Sequence, residues 1–325
     1  MPLDWADQGD LAQACTRRRK ILDTALNLSE QKLEVSPNDP DVPRLKEVAL
    51  NEFATTISQA GDTKRQMEML RQASAIADQL AVARPNDVLS QEDVWVSHIK
   101  IGDVQVDQGS LNSALEGCRA GIVVVWRLAT AEPDNARWQR DLSASYDRVG
   151  NVLVAQGDLE GPLKAYRAAL AIDERLVAAA PDDPGSLQYL SVSHDNPPEP
   201  GGGGSRKRPM ARRSFGQSRK KIGDVLVAED ALNGALGAYR ADLLIAQQLA
   251  TADLDNAEWQ RDLSISLARF ADTLLCRDNI ADALSLAQQA LAQRRAAIDR
   301  FPNDPRLPQG LVYYENLVRR AGGPP

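Results

Sequence analysis

The stretch at residues 135–157, NARWQRDLSASYDRVGNVLVAQG, returns at residues 256–278 as NAEWQRDLSISLARFADTLLCRD. Such recurrence constrains the fold more tightly than composition does, because each copy must bury its apolar face on the next. Aligned on one small residue, five copies fall into register at Ala54, Gly102, Gly150, Gly223 and Ala271. Three of the four intervals are 48 residues; the interval from Gly150 to Gly223 is longer by 25.

Seven residues past each anchor lies a turn: Gln59-Ala60-Gly61-Asp62, Asp107-Gln108-Gly109-Ser110, Ala155-Gln156-Gly157-Asp158, Glu229-Asp230 and Arg277-Asp278. Glycine there can end a helix in the left-handed conformation, and the Asp or Ser after it can cap the next helix. A second break follows 24 residues later at Pro85, Pro133, Pro181 and Pro302, with Leu254 in the odd copy, each followed by Asn or Asp. Between the breaks, Leu159, Leu163, Tyr166, Leu170, Ile172, Leu176 and Val177 exemplify the three-and-four spacing of an amphipathic helix. Each copy therefore reads as two antiparallel helices. Ala, Leu, Gln, Arg, Asp and Glu dominate, aromatics are only 5%, and no stretch alternates Val, Ile and Thr. The chain is expected to be all-α.

The small anchor, the Gly-Asp turn seven later, the Ala five beyond it and the closing Pro resemble the tetratricopeptide (TPR) repeat. Gly102, Gly109, Ala114 and Pro133 carry the pattern, as do Ala271, Asp278, Ala283 and Pro302. Family repeats usually have 34 residues, so this looks like a long-repeat, bacterial-type variant. Both helices gain seven residues, about two turns, which keeps the buried faces in phase. Pro162 replaces the expected Ala but falls in a first helical turn, where proline is tolerated. The resemblance implies a right-handed α-solenoid superhelix of about six hairpins.

Three segments stand apart. Residues 1–8 supply only the tail of a first helix while residues 11–35 form a full second helix, whose Ile21, Leu22, Ala25 and Leu28 want a partner; self-association through that face follows as an expectation. Residues 186–195 match the start of a first helix, then NPPEPGGGGSRKRP interrupts it, and a first helix restarts at about Ala211. The organisation expected is a repeat block at 1–195, a Pro/Gly/Arg-rich linker at 196–213 open to trypsin, and a second block at 214–325. The second block ends in a capping helix over residues 306–320, with charged Arg319 at the anchor position.

Composition narrows the function classes. A net charge of −7 argues against non-specific nucleic-acid binding by the whole chain. Cys15, Cys118 and Cys276 are odd in number and far apart, which fits a reducing compartment rather than a disulfide framework. The acidic N-terminal segment has no signal-peptide pattern and no run approaches a membrane span, so a cytoplasmic location is expected. No catalytic motif is present, so neither an enzyme activity nor a cofactor is expected. His98 and His194 both occupy the slot that Tyr146 fills, four before the anchor, and are read as packing residues rather than metal ligands.

Two surface features point to partners. Arg206, Lys207, Arg208, Arg212, Arg213, Arg219, Lys220 and Lys221 form a basic run without an acid. It reads as a solvated linker making contacts within the chain, the alternative being an accessory surface for nucleic acid or another polyanion. The second feature is a polar ladder on the first helices. Glu52, Lys100, Arg148, Lys221 and Arg269 stand two before the anchors; Thr55, Asp103, Asn151, Asp224 and Asp272 stand one after. Members of each pair are three apart, on one helix face. In TPR proteins the inner face is built largely from first helices, so the resemblance implies a concave groove in which Lys100, Asp103, Arg148, Asn151, Lys221, Asp224, Arg269 and Asp272 meet a protein or peptide. The competing reading makes the same residues salt bridges within and between repeats. The family's carboxylate-clamp pattern is not met. Trp138 and Trp259, opening their helices, are read as sealing the joint with the preceding second helix. The function expected is a non-enzymatic interaction scaffold or adaptor, or the sensing arm of a larger assembly.

Overall fold

A computed structural model describes residues 41–58, 62–158, 160–179 and 207–323, besides isolated positions between 24 and 31. Eleven helices and no strand occur among the described residues: α1 (Asp41–Ser58), α2 (Thr63–Ala83), α3 (Val88–Asp107), α4 (Leu111–Ala131), α5 (Ala136–Ala155), α6 (Glu160–Ala179), α7 (Lys207–Ala228), α8 (Leu232–Ala252), α9 (Ala257–Cys276), α10 (Ile280–Arg300) and α11 (Leu311–Arg320). The expectations for residues 1–8 and 186–195, for all but a few positions of 11–35, and for His194 and Pro181, lie outside the described residues; Leu28, which is described, is 58% exposed. So does most of the linker.

The turns work as the spacing requires. Gly109 and Gly157 adopt positive φ, and at the same slot of the last two copies Asp230 and Asp278 take φ 58 and 56. Asp is among the few L residues that enter this region at modest cost. Each of these four turns closes with a pair of backbone bonds, for example Asp278 N to Leu275 O at 3.0 Å and Asn279 N to Leu274 O at 3.0 Å, which satisfy carbonyls left open at the helix end. Asp62, Asp87, Asn135, Asp158, Asn256 and Asn279 accept backbone N–H bonds from the first turn of the helix they cap. Ser110 departs from the expectation: it stands at the N-cap of α4 without a side-chain bond.

The chain folds as two compact units, Met1–Pro133 and Asp134–Pro325. In the first, α1 pairs with α2 and α3 with α4, and α2 packs on α3. In the second, α5/α6, α7/α8 and α9/α10 are the hairpins, α6 packs on α7, α8 on α9, and α11 covers α10. α11 buries Tyr314, Leu317 and Val318 while Arg319 is exposed. Helix α7 begins at Lys207, four residues ahead of the expected restart at Ala211, so the end of the stretch read as non-helical is helical. The reason is positional: Pro209 is the third residue of α7, where a missing N–H forfeits no intrahelical bond.

The anchors sit where the hairpins are tightest, and each is matched by the residue 16 positions later on the second helix. Ala54 meets Leu70 and Ala271 shares a core with Ala287. Gly102 lies beside Cys118, and Gly150 and Gly223 lie under the rings of Tyr166 and Tyr239. A Cβ on Gly223 would stand 2.6 Å from Tyr239 Cε1, closer than any real contact allows. Where the partner is an aromatic ring, the anchor has to be glycine.

Candidate functional site

The ladder residues lie on the first helices. In the first unit, Thr55 donates within its own helix to Asn51 O at 3.0 Å. Lys100 on α3 faces Glu52 and Glu47 of α1; burial draws its pKa down, and the two glutamates oppose that. Glu47 is 2% exposed. Its carboxyl accepts from the Asn51 amide, and burial, followed by the charge of Asp93, pushes its pKa up to about 7. Arg44 reaches across to Asp93 at 3.1 Å. Asp103 is half buried beside the anchor Gly102.

In the second unit the ladder is linked from helix to helix. Lys221 of α7 donates to Asp147 of α5 at 2.8 Å. Arg269 of α9 donates to Asp224 of α7. Arg320 of α11 pairs with Asp272 of α9 at 2.9 Å. Lys221 and Asp224, three apart on one face, thus bond to neighbouring helices on opposite sides rather than to each other. Tyrosine hydroxyls add to the row: Tyr166 donates to Asn151 at 2.9 Å, Tyr239 to Asp224 at 2.5 Å and Tyr313 to Asp272 at 3.0 Å. Burial and the neighbouring carboxylates raise the pKa of all three phenols. Arg148 is half buried on the same face of α5. Near it Asp141, half buried with Arg137, Arg140 and Arg148 around it, is pushed up to about 6 by desolvation, which the three guanidinium groups oppose.

Sequence reading missed Asp147, Arg320 and the three tyrosines. The recurrence of Tyr at the position 16 after two glycine anchors was the available signal. Beneath the row, buried carboxylates join helices through hydroxyls. Ser143 of α5 donates to Asp173 at 2.7 Å, and Ser218 of α7 approaches the same carboxylate at 3.4 Å. Ser266 of α9 donates to Asp242 at 2.7 Å, and burial holds Asp242 up to about 6.

The basic run divides. Arg219 bonds Glu174 at 3.2 Å, Lys221 bonds Asp147, and Lys220 is half buried with its pKa lowered by burial. Arg206 and the side chains of residues 207–217 are outside what is described. His98 packs its Cβ near Gly121 of α4. Trp259 forms a cluster with Ile245 and Leu249 of the preceding second helix, as expected; Trp138 is buried under Arg137, whose guanidinium lies 4.7 Å from the ring. Among the described residues no helix is long and apolar enough to cross a membrane.

No protein-family model and no curated protein sequence matches the chain. Solved structures do. BtubC (BKLC) from P. vanneervenii aligns over 90% of this chain and 95% of its own, with TM-score 0.62 at 14% identity. A variant of the Podosopora anserina putative kinesin light chain, with nearly identical TPR-like repeats, aligns over 81% of this chain and 98% of its own, with TM-score 0.52 at 14% identity. The fold is TPR-like. At so low an identity the shared property is the repeat architecture, which these TPR-like helices reach with a 48-residue period and their own set of interhelical bonds.

Proposed function

We propose that the chain is a non-enzymatic scaffold that binds a protein or peptide partner along the polar face of its first helices. The observation that supports this is the row Asp147–Lys221, Asp224–Arg269 and Asp272–Arg320, in which consecutive first helices of the second unit hold charged groups in fixed positions at a partly exposed surface. Side chains already ordered lose less entropy when a partner docks, so such a row suits recognition of polar backbone and charged side chains. The nucleic-acid reading is weaker, since Arg219 and Lys221 of the basic run are engaged by Glu174 and Asp147.

A charge exchange separates recognition from support. With Asp147→Lys and Lys221→Asp combined, the pair re-forms in reverse and stability changes by less than about 1 kcal/mol, the scale of such partly exposed pairs. Immobilised full chain and exchanged variant are compared as baits in extract from the native cell. A partner held by the native chain and released by the folded variant supports the reading. Equal retention by both refutes it.

A further inference from the structure

The second helices turn one face toward the first helices and the other toward solvent. At the position 24 after the anchor, on the solvent face, α2, α6, α8 and α10 carry Asp78, Glu174, Gln247 and Arg295, all exposed. The fold accepts any polar residue there. In α4 that position is Trp126, 51% exposed, and one turn earlier Val123 is 50% exposed. A tryptophan left half in water costs free energy that the polar residues of the sister helices avoid.

The surroundings of Trp126 are as particular as the ring. Arg119 and Arg127 are exposed on the same face, at the spacing that sets residues 119, 123, 126, 127 and 130 side by side on a helix. No ion pair among the described residues occupies either arginine. Half-buried Ile122 and Val124 flank the exposed pair, while Cys118, Val125 and Leu128 hold the opposite face of α4 in the core of the hairpin. The face is therefore a firmly mounted aromatic and aliphatic patch rimmed by two uncommitted guanidinium groups. Trp and Arg together are the residue types that most often dominate a protein interface.

We infer that the solvent face of α4, centred on Trp126 and Val123 with Arg119 and Arg127 at its rim, docks an acidic protein segment bearing apolar anchor residues. The occupant follows from charge complementarity: the charges nearest Trp126 and Val123 are the guanidinium groups of Arg119 and Arg127, with Glu116 farther off at the far end of the face, so Asp or Glu beside a Leu, Phe or Met meets both the ring and a guanidinium. A nucleic acid fits less well, because aliphatic Val123 beside the ring offers no stacking plane for a second base. This surface is separate from the first-helix row and does not depend on it.

The test uses a random 16-residue displayed peptide library on the full chain, with depletion on Trp126→Gln, which places in α4 the residue α8 already carries. Circular dichroism checks that the variant keeps the native fold. Peptides retained only by the native chain are expected to combine Asp or Glu with large apolar residues, to bind Trp126→Gln at least tenfold more weakly, and to weaken several-fold with Arg119→Glu or Arg127→Glu. Leu244→Ser on α8 leaves their binding unchanged. The inference is overturned if no peptide distinguishes native chain from variant or if the distinguishing peptides are basic. It is overturned equally if a labelled 16-nucleotide thymidine strand binds in a Trp126-dependent way and the peptides do not.

Discussion

Replacing Gly223 by Ala isolates what the anchor glycine does. In a helix interior the change alone is worth about 1 kcal/mol in favour of Ala. Here the new Cβ stands 2.6 to 2.9 Å from three ring carbons of Tyr239, whose hydroxyl is held by Asp224 and whose ring is 3% exposed in a packed core. Overpacking of this kind costs about 1 to 3 kcal/mol, and three simultaneous contacts place it toward the upper end. Gly223→Ala is thus expected to lose about 2 kcal/mol net. In a Tyr239→Leu background the position resembles the Ala54 and Leu70 pair of the first hairpin, the contact disappears, and the same substitution is expected to stabilise by about 1 kcal/mol. The cycle of four proteins, followed by urea unfolding with circular dichroism, should show a coupling of about 3 kcal/mol. Additivity within about 0.5 kcal/mol would refute the claim that anchor and ring specify one another.

Two other expectations follow from the buried carboxylates and from the packing of α6 on α7. Glu47 has its pKa raised from 4.5 to about 7, so its contribution is fully present below pH 4.5 and is lost as the pH rises through 7. Glu47→Gln should therefore remove up to about 3 kcal/mol of the decline in stability between pH 4.5 and 7, read as a flatter melting temperature against pH; a slope equal to that of the native chain would contradict the burial argument. Ser218, Arg219 and Lys221 of α7 all bond to α5 or α6, so a chain cut by trypsin near Arg206 is expected to elute as one particle until denaturant is added. Fragments that separate in buffer alone would show that those bonds do not join the two parts.

The helices were legible because each boundary has a local cause. Gly109 and Gly157 need only their own φ to end a helix, and Asn135 and Asn256 need only the next turn to cap one. Asp230 and Asp278 could be placed by register, although their residue type alone says little about a left-handed turn. The start of α7 was misplaced because a proline and a glycine run speak against helix on average, whereas the first turn of a helix tolerates the proline. The ladder was legible as a row but not as a set of bonds. Lys221 and Asp147 are 74 positions apart and Arg269 and Asp224 are 45 apart, and neither separation is a property of either helix alone.

The odd interval between Gly150 and Gly223 shows what determines those bonds. If chain continuity set the pairing, 25 extra residues would displace α7 from its neighbours. Instead Ser218 reaches Asp173, Arg219 reaches Glu174, and the ring of Tyr166 lies in one cluster with Ile222 and Val225. The apolar face of α7 and its small anchor are what the hairpin of α5 and α6 recognises, since loop closure costs only slightly more for a longer connection. Repeat packing therefore tolerates an insertion between helices far better than a single added methyl group at Gly223, and residues under selection for the stack should be sought at anchors and at the positions 16 later rather than in the connections.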